Sequence, residues 1–275
     1  MKPVIHKIHH SLPLFLKTGC VICSLILVSF LIVHIFFPSA PAAVSTFLNS
    51  HAPSVLISSE RKLPIYCVNT NKPQVSISFD AAWGNEDTDT LLNILDKYNV
   101  KTTFFMTGGW IESYPDDVKK IAAAGHDLGN HSENHKQMSQ LSSEDCTTEI
   151  MMPHEKVKAL TGTDMTLFRP PYGDYNNTLI ESANNAGYHV IQWSVDSLDW
   201  KDYGADSIVD TVLNHKALED GAIILMHNGA KYTKDALERV ITGLQDKGFE
   251  IVPISQLIYT GKYHMDHTGK QFSDE

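Results

Sequence analysis

Residues 75–80 read VSISFD, a short β-branched run that stops on a carboxylate. A buried strand ending in a charged side chain points to a parallel sheet with an apolar interior and a chemically active rim. The pattern recurs downstream. Leucines at 91, 92 and 95 mark a helix over 88–98, residues 102–105 are strand-like, and 115–124 is helical up to a stop at Gly125. A short strand over 126–130 follows. Ser142 and Asp145 have capping-box spacing and begin a helix towards Leu160, with a kink or split expected at Pro153. Strands are then expected over 167–169, 189–193, 222–226 and 250–253, and helices over 177–186, 206–215 and 233–247. Strands alternating with helices mean βαβ units and a parallel sheet. Asp80, His131, Arg169, Asp196, Asp199 and His227 all fall at or just after strand ends, the pattern of a barrel. The expected fold is α/β, a distorted (β/α) barrel of about seven parallel strands, preferred over an open doubly wound sheet.

The flanks read differently. Residues 18–37 carry no charge and are long enough to span a membrane, Lys2, Lys7 and Lys17 precede them, and no Asp or Glu occurs before Glu60. Residues 1–17 are therefore expected in the cytoplasm, 18–37 as one N-terminal transmembrane helix, and the rest outside. Ala40-Pro41-Ala42 resembles a cleavage site, but its central Pro favours an uncleaved anchor. The expected location is the cell membrane, single-pass, with the domain extracytoplasmic, or secreted if the anchor is cut. Residues 38–71 read as a Pro-bearing linker, 72–260 as the folded domain, and 261–275 as a polar tail that frays. Cys67 and Cys146 would lie outside, where a disulfide is allowed, but nothing in the sequence brings them together.

Composition removes whole classes of function. Lys and Arg number 22 against 32 Asp and Glu, a net charge of −10, so a nucleic-acid partner is not expected. There is no G-x-G-x-x-G or G-x-x-x-x-G-K-[ST], so no nucleotide cofactor is expected.

Several residues have two readings. His131 and His135, four apart, either share one face of a helical turn and bind one metal, or sit in a polar loop. Asp80 is either a carboxylate at the mouth of the sheet or a helix cap. His227 ends the apolar run IILMH and is either an acid–base group or a core histidine. Arg169 precedes Pro170-Pro171-Tyr172-Gly173, a rigid loop.

Taken together, SFDAAWG (78–84), HSENH (131–135), RPPYG (169–173), DSLDW (196–200) and LMH (225–227) resemble, in order and type, five motifs of the polysaccharide deacetylase family of NodB homology, carbohydrate esterase family 4. The resemblance covers roughly residues 73–255. The anchor and the FDAAWGNEDT start are similar to the short membrane-anchored sporulation-type deacetylases of Firmicutes. The resemblance implies a metal-dependent hydrolase that removes acetyl from amino sugars of a cell-wall glycan, peptidoglycan or a chitin-like polymer. It implies His131 and His135 as ligands of a divalent metal, usually zinc. Asp80 would be the general base and His227 the general acid, oriented by Arg169 and Asp199 respectively. The backbone N–H of Tyr172 would help form the oxyanion hole, and Trp200 and Leu225 would line the acetyl pocket. One residue departs from the pattern. Ala81 stands where the family carries a metal-ligand Asp, leaving two protein ligands where catalytic zinc usually has three. The metal is then weakly bound, or completed by Asn85, Glu86 or Asp87, or lost. Two other readings stay open: a glycan-binding or wall-morphogenesis protein with little activity, and an O-acetyl carbohydrate esterase.

Overall fold

The computed structural model describes residues 61–274. The expected span at 18–37 lies outside them. Among the described residues no helix is long and apolar enough to cross a membrane.

The chain runs β1 (Cys67–Val68), β2 (Gln74–Ala81), α1 (Thr88–Lys97), β3 (Thr103–Met106), α2 (Gly108–Ser113), α3 (Pro115–Ala123), β4 (Asp127–Asn130), α4 (Ser143–Thr161), β5 (Leu167–Phe168), α5 (Asn177–Asn185), β6 (His189–Val190), β7 (Val195–Asp196), α6 (Ala205–Leu213), β8 (Ile223–His227), α7 (Thr233–Asp246), β9 (Glu250–Ile251), α8 (Ile254–Leu257), β10 (Tyr263–Met265) and β11 (Lys270–Ser273). The main sheet has the order β6-β5-β4-β3-β2-β8-β7, with β9 also paired to β2, and every pairing is parallel. This is the expected distorted β/α barrel. Its seam lies where the chain passes from β6 to β7. The N-terminal segment bridges there: Ile65 pairs with Ile191, and the Val68 N–H donates to Gly221 O.

Strand alternation sorts the side chains into two cores. On β2, Val75, Ile77, Phe79 and Ala81 face outward and join the cluster that packs against the helices. Ser76, Ser78 and Asp80 occupy the alternate positions. On β3, Phe104 and Met106 belong to the outer cluster and Phe105 to the inner one. On β8, Ile224 and Met226 belong to the outer cluster, while Ile223 belongs to the inner one. A period of two thus places Asp80, Leu225 and His227 on the inner rows.

Four sequence expectations change. Helix α4 runs unbroken through Pro153. The expected strand over 189–193 is only β6, ending at Val190, and a separate short strand, β7, follows and contains Asp196. The polar tail is not frayed: β10 and β11 pair antiparallel, and β11 runs parallel to β1. Asp266 Oδ1 accepts from the amides of Thr268 and Lys270 and locks their turn, a local bond that polar composition conceals. The linker assignment also ends too late, since Ile65, Cys67 and Val68 are buried. Cys67 and Cys146 are both buried and free.

Candidate active site

Asp80 ends the inner row of β2 and meets Arg169, the residue after β5. Arg169 is fully buried, and its Nη1 donates to Asp80 Oδ1 at 2.7 Å. Nη2 donates to Ser78 Oγ at 2.8 Å and to Gln192 O at 3.2 Å, and the guanidinium lies 4.1 Å from the Phe105 ring centroid. Burial alone pushes the Asp80 carboxyl up. The Arg169 guanidinium, with His131 and His227, outweighs it and holds the carboxyl below its usual range. Asp80 is therefore a pinned carboxylate and not a helix cap.

His131 and His135 sit in a loop, not on a helical turn. Ser132 and His135 both have positive φ, at 65° and 52°. The loop is held from both ends. Asn130 Oδ1 accepts from Ser132 N, and Ser132 Oγ accepts from His135 N at 3.0 Å. Pro153 supplies the other hold. It has no N–H to give to the carbonyl four residues back, so Glu149 O is free and accepts from Glu133 N at 2.9 Å. Ile150 O accepts Asn130 Nδ2 at 2.6 Å. A proline read from sequence as a helix break here leaves carbonyls for docking the histidine loop. Glu149 also binds the amide and side chain of Asn134, and Glu133 pairs with Lys156.

His227 ends β8 opposite Asp80. Its Nδ1 donates to Asp199 Oδ1 at 2.7 Å. Asp199 Oδ2 accepts from the His227 backbone N–H and from Thr233 Oγ. Burial pushes His227 down, but the buried Asp199 carboxylate outweighs it and the imidazole pKa is raised. The imidazolium form is thus favoured on one side of the site and the carboxylate form on the other.

A cavity of about 440 Å³ lies between them. Asp80, His131, His135, Tyr172, Trp200, Leu225 and His227 all line it. Arg169 and Asp199 stand behind, bonded to Asp80 and His227. Tyr172 has φ 61° and an exposed ring, and it packs edge-on to His135 at 4.5 Å. Two further lining residues, Trp83 and Trp193, carry no role in the sequence reading, and Asp196, read there as a strand-end carboxylate, also lies in the cavity wall. Trp83 stood within a quoted motif, whereas Thr233 gave no signal, since its role depends on where α7 begins.

The two imidazoles fit a divalent ion. Burial pushes His131 down to about 4 and lowers His135, so both are neutral near pH 7 and offer lone pairs. Arg169 O accepts from His131 Nδ1 at 2.7 Å, which leaves Nε2 as the ligand atom. Among the described residues, no third His, Cys, Asp or Glu completes a cluster with them. Ala81 is wholly buried in the outer core. Asn85 donates to Asp117, Asp87 accepts from Gly229 N, and neither they nor Glu86 line the cavity. The remaining coordination positions would fall to water and substrate.

Residues 68–191 match the family described as polysaccharide deacetylase. The chain is 33% identical over 196 residues to the peptidoglycan-N-acetylglucosamine deacetylase of Bacillus cereus, covering 70% of each chain. The chain belongs to the polysaccharide deacetylase family. Within that family it is also 36% identical over 206 residues to the uncharacterized protein YlxY of Bacillus subtilis, covering 75% of this chain and 64% of that one. Its fold superposes on BA3943, a CE4 family pseudoenzyme from Bacillus anthracis, with a TM-score of 0.68 and 34% identity over 70% of this chain and 68% of that one. A BA3943 mutant with restored enzymatic activity matches equally well. The deacetylase family thus includes both a named enzyme and a pseudoenzyme at nearly equal similarity to this chain.

Proposed function

We propose that this protein is a cell-surface polysaccharide deacetylase that hydrolyses the acetamide of amino sugars in peptidoglycan or a related glycan. One observation carries the reading: a carboxylate whose ionised form is favoured by Arg169 and an imidazole whose cationic form is favoured by Asp199 face one cavity from opposite strands. Amide hydrolysis needs that pair, because water must lose a proton and the amine must gain one. Asp80 takes the proton from the attacking water. The water oxygen bonds to the carbonyl carbon, and His227 gives its proton to the nitrogen as the C–N bond breaks. Trp200 and Leu225 wall the acetyl methyl, and Tyr172 presents its backbone to the carbonyl oxygen. A divalent ion, zinc in our reading, would be held by His131 and His135 and would supply Lewis acidity at that oxygen. The uncharged run 18–37 supports a single-pass anchor with the domain outside the cell.

The test is acetate release from chitooligosaccharides and from peptidoglycan, after chelation and again with added zinc or cobalt. We expect release that stops with chelator and returns with metal. No release from a folded protein under any metal would overturn the reading. It would favour a second one, glycan binding without turnover, which Ala81 and the likeness to a pseudoenzyme support. Equal or faster release from O-acetylated sugars would move the substrate class to esters.

The pH profile should follow His227. Its pKa is raised by Asp199, so the acid form persists to higher pH than in an ordinary histidine and turnover falls as pH rises past that raised value. Asp199→Asn removes the carboxylate charge and should move the alkaline limb to lower pH. An unmoved limb would refute His227 as the acid.

A further inference from the structure

Trp83 has no part in the chemistry above, yet its indole lies on His227. The rings are stacked, with centroids 5.5 Å apart and planes 21° apart. This contact is built by both loops that meet there. Gly84 O accepts from Trp110 Nε1 at 2.8 Å and from Asn228 Nδ2 at 3.3 Å. Asp87 Oδ1 accepts from Gly229 N at 2.8 Å, and Thr88 Oγ donates to Asn228 Oδ1 at 2.9 Å. Residues 84–88 are thereby riveted to the two residues after His227. Gly229 makes room for the indole. A Cβ there would stand 3.0 Å from Trp83 O and 3.1 Å from Trp83 Cδ1, and its φ of +89° disfavours any other residue.

The physical need is clear from His227 itself. Asp199 holds the ring at one vertex, Nδ1. The ring is tethered at Cβ and at Nδ1 and can still rock about the line that joins them. A flat indole over one face removes that freedom and keeps water off the face. Nε2 is then left with one direction, into the cavity.

We propose that Trp83 is the positioning residue for His227, fixing the imidazole plane so that Nε2 meets the leaving nitrogen of the sugar acetamide. The proposal rests on the general-acid reading of His227. A rival role comes from the same residue: Trp83 is 45% exposed and lines the cavity, as a sugar-stacking platform would.

The test uses the full chain in detergent with a chitooligosaccharide, comparing Trp83→Phe and Trp83→Leu. Phenylalanine keeps a flat face, and leucine fills space without one. We expect Trp83→Phe to stay within about threefold of wild-type kcat, and Trp83→Leu to lose about tenfold or more in kcat at nearly constant KM. A raised KM with intact kcat in Trp83→Leu would overturn positioning in favour of the platform. Full activity in Trp83→Leu would reduce the contact to packing and also overturn it. A second readout needs no turnover. In protein carrying 15N-labelled histidine, the Nδ1–H resonance of His227, identified by its loss in His227→Gln, should be sharp in wild type and Trp83→Phe. It should broaden by solvent exchange in Trp83→Leu; a resonance unchanged there would refute the proposal. A wild-type chain that releases no acetate counts against the deacetylase reading, and the resonance then decides Trp83 alone.

Discussion

Asp80→Asn should lower acetate release by about 10³-fold, the size of a lost general base. The amide of Asn cannot take a proton from water near neutral pH. The change also reaches the fold. In sequence Asp80 reads as a carboxylate at the mouth of the sheet. Among the described residues Asp80 is the one carboxylate bonded to the fully buried Arg169 guanidinium. Asn still accepts one hydrogen bond from Arg169 Nη1, but the buried cation is left without a counter-charge, and breaking such a pair costs about 3 kcal/mol. The two effects separate by measurement. Thermal unfolding reads the second, and turnover of the folded fraction reads the first. Retained turnover would refute the base assignment; an unchanged melting temperature would refute the structural role of the pair.

Ala81→Asp should make stability depend on zinc. Ala81 packs among Phe79, Met106 and their neighbours, with no exposure. A carboxylate left there unpaired costs several kcal/mol, so the variant in chelator should melt well below wild type. With zinc present, the carboxylate has an alternative. β2 ends at residue 81, where the chain can turn the side chain towards His131 and His135 and supply a third ligand. Zinc at about 100 times its dissociation constant would then return about 2.7 kcal/mol. Wild type, with two imidazoles, should shift far less at the same zinc concentration, and acetate release by the variant should rise. A variant whose melting temperature ignores zinc would show that position 81 cannot reach the ion.

The residues themselves carried much of this protein. Periods of two and 3.6 announced the βαβ order, because the central strands β2, β3 and β8 are buried along nearly their whole length while the longer helices bury one face. Asp80 and His227 were legible because each ends an apolar run at a strand end, where a barrel exposes side chains, and His131, Arg169 and Asp199 because each follows a strand within a matching motif. Chain reading failed where a residue's role belongs to a distant partner. Pro153 is local evidence against a helix, yet the lost hydrogen bond is replaced by the histidine loop, so the helix continues. The last residues look like a tail, but their strand pairs with Cys67 and Val68, some two hundred residues earlier. Whether His131 and His135 met on a helical turn or in a left-handed loop depended on Asn130 and Ser132, whose bonds fix positive φ. Composition and spacing thus determined which chemical groups stand at the rim. Only the folded chain decided which groups touch: that Ala81 faces the core, that Arg169 is buried against Asp80, and that Trp83 covers His227. Those outcomes depend on strand register and loop docking, which are set by contacts remote in sequence and invisible to any local pattern.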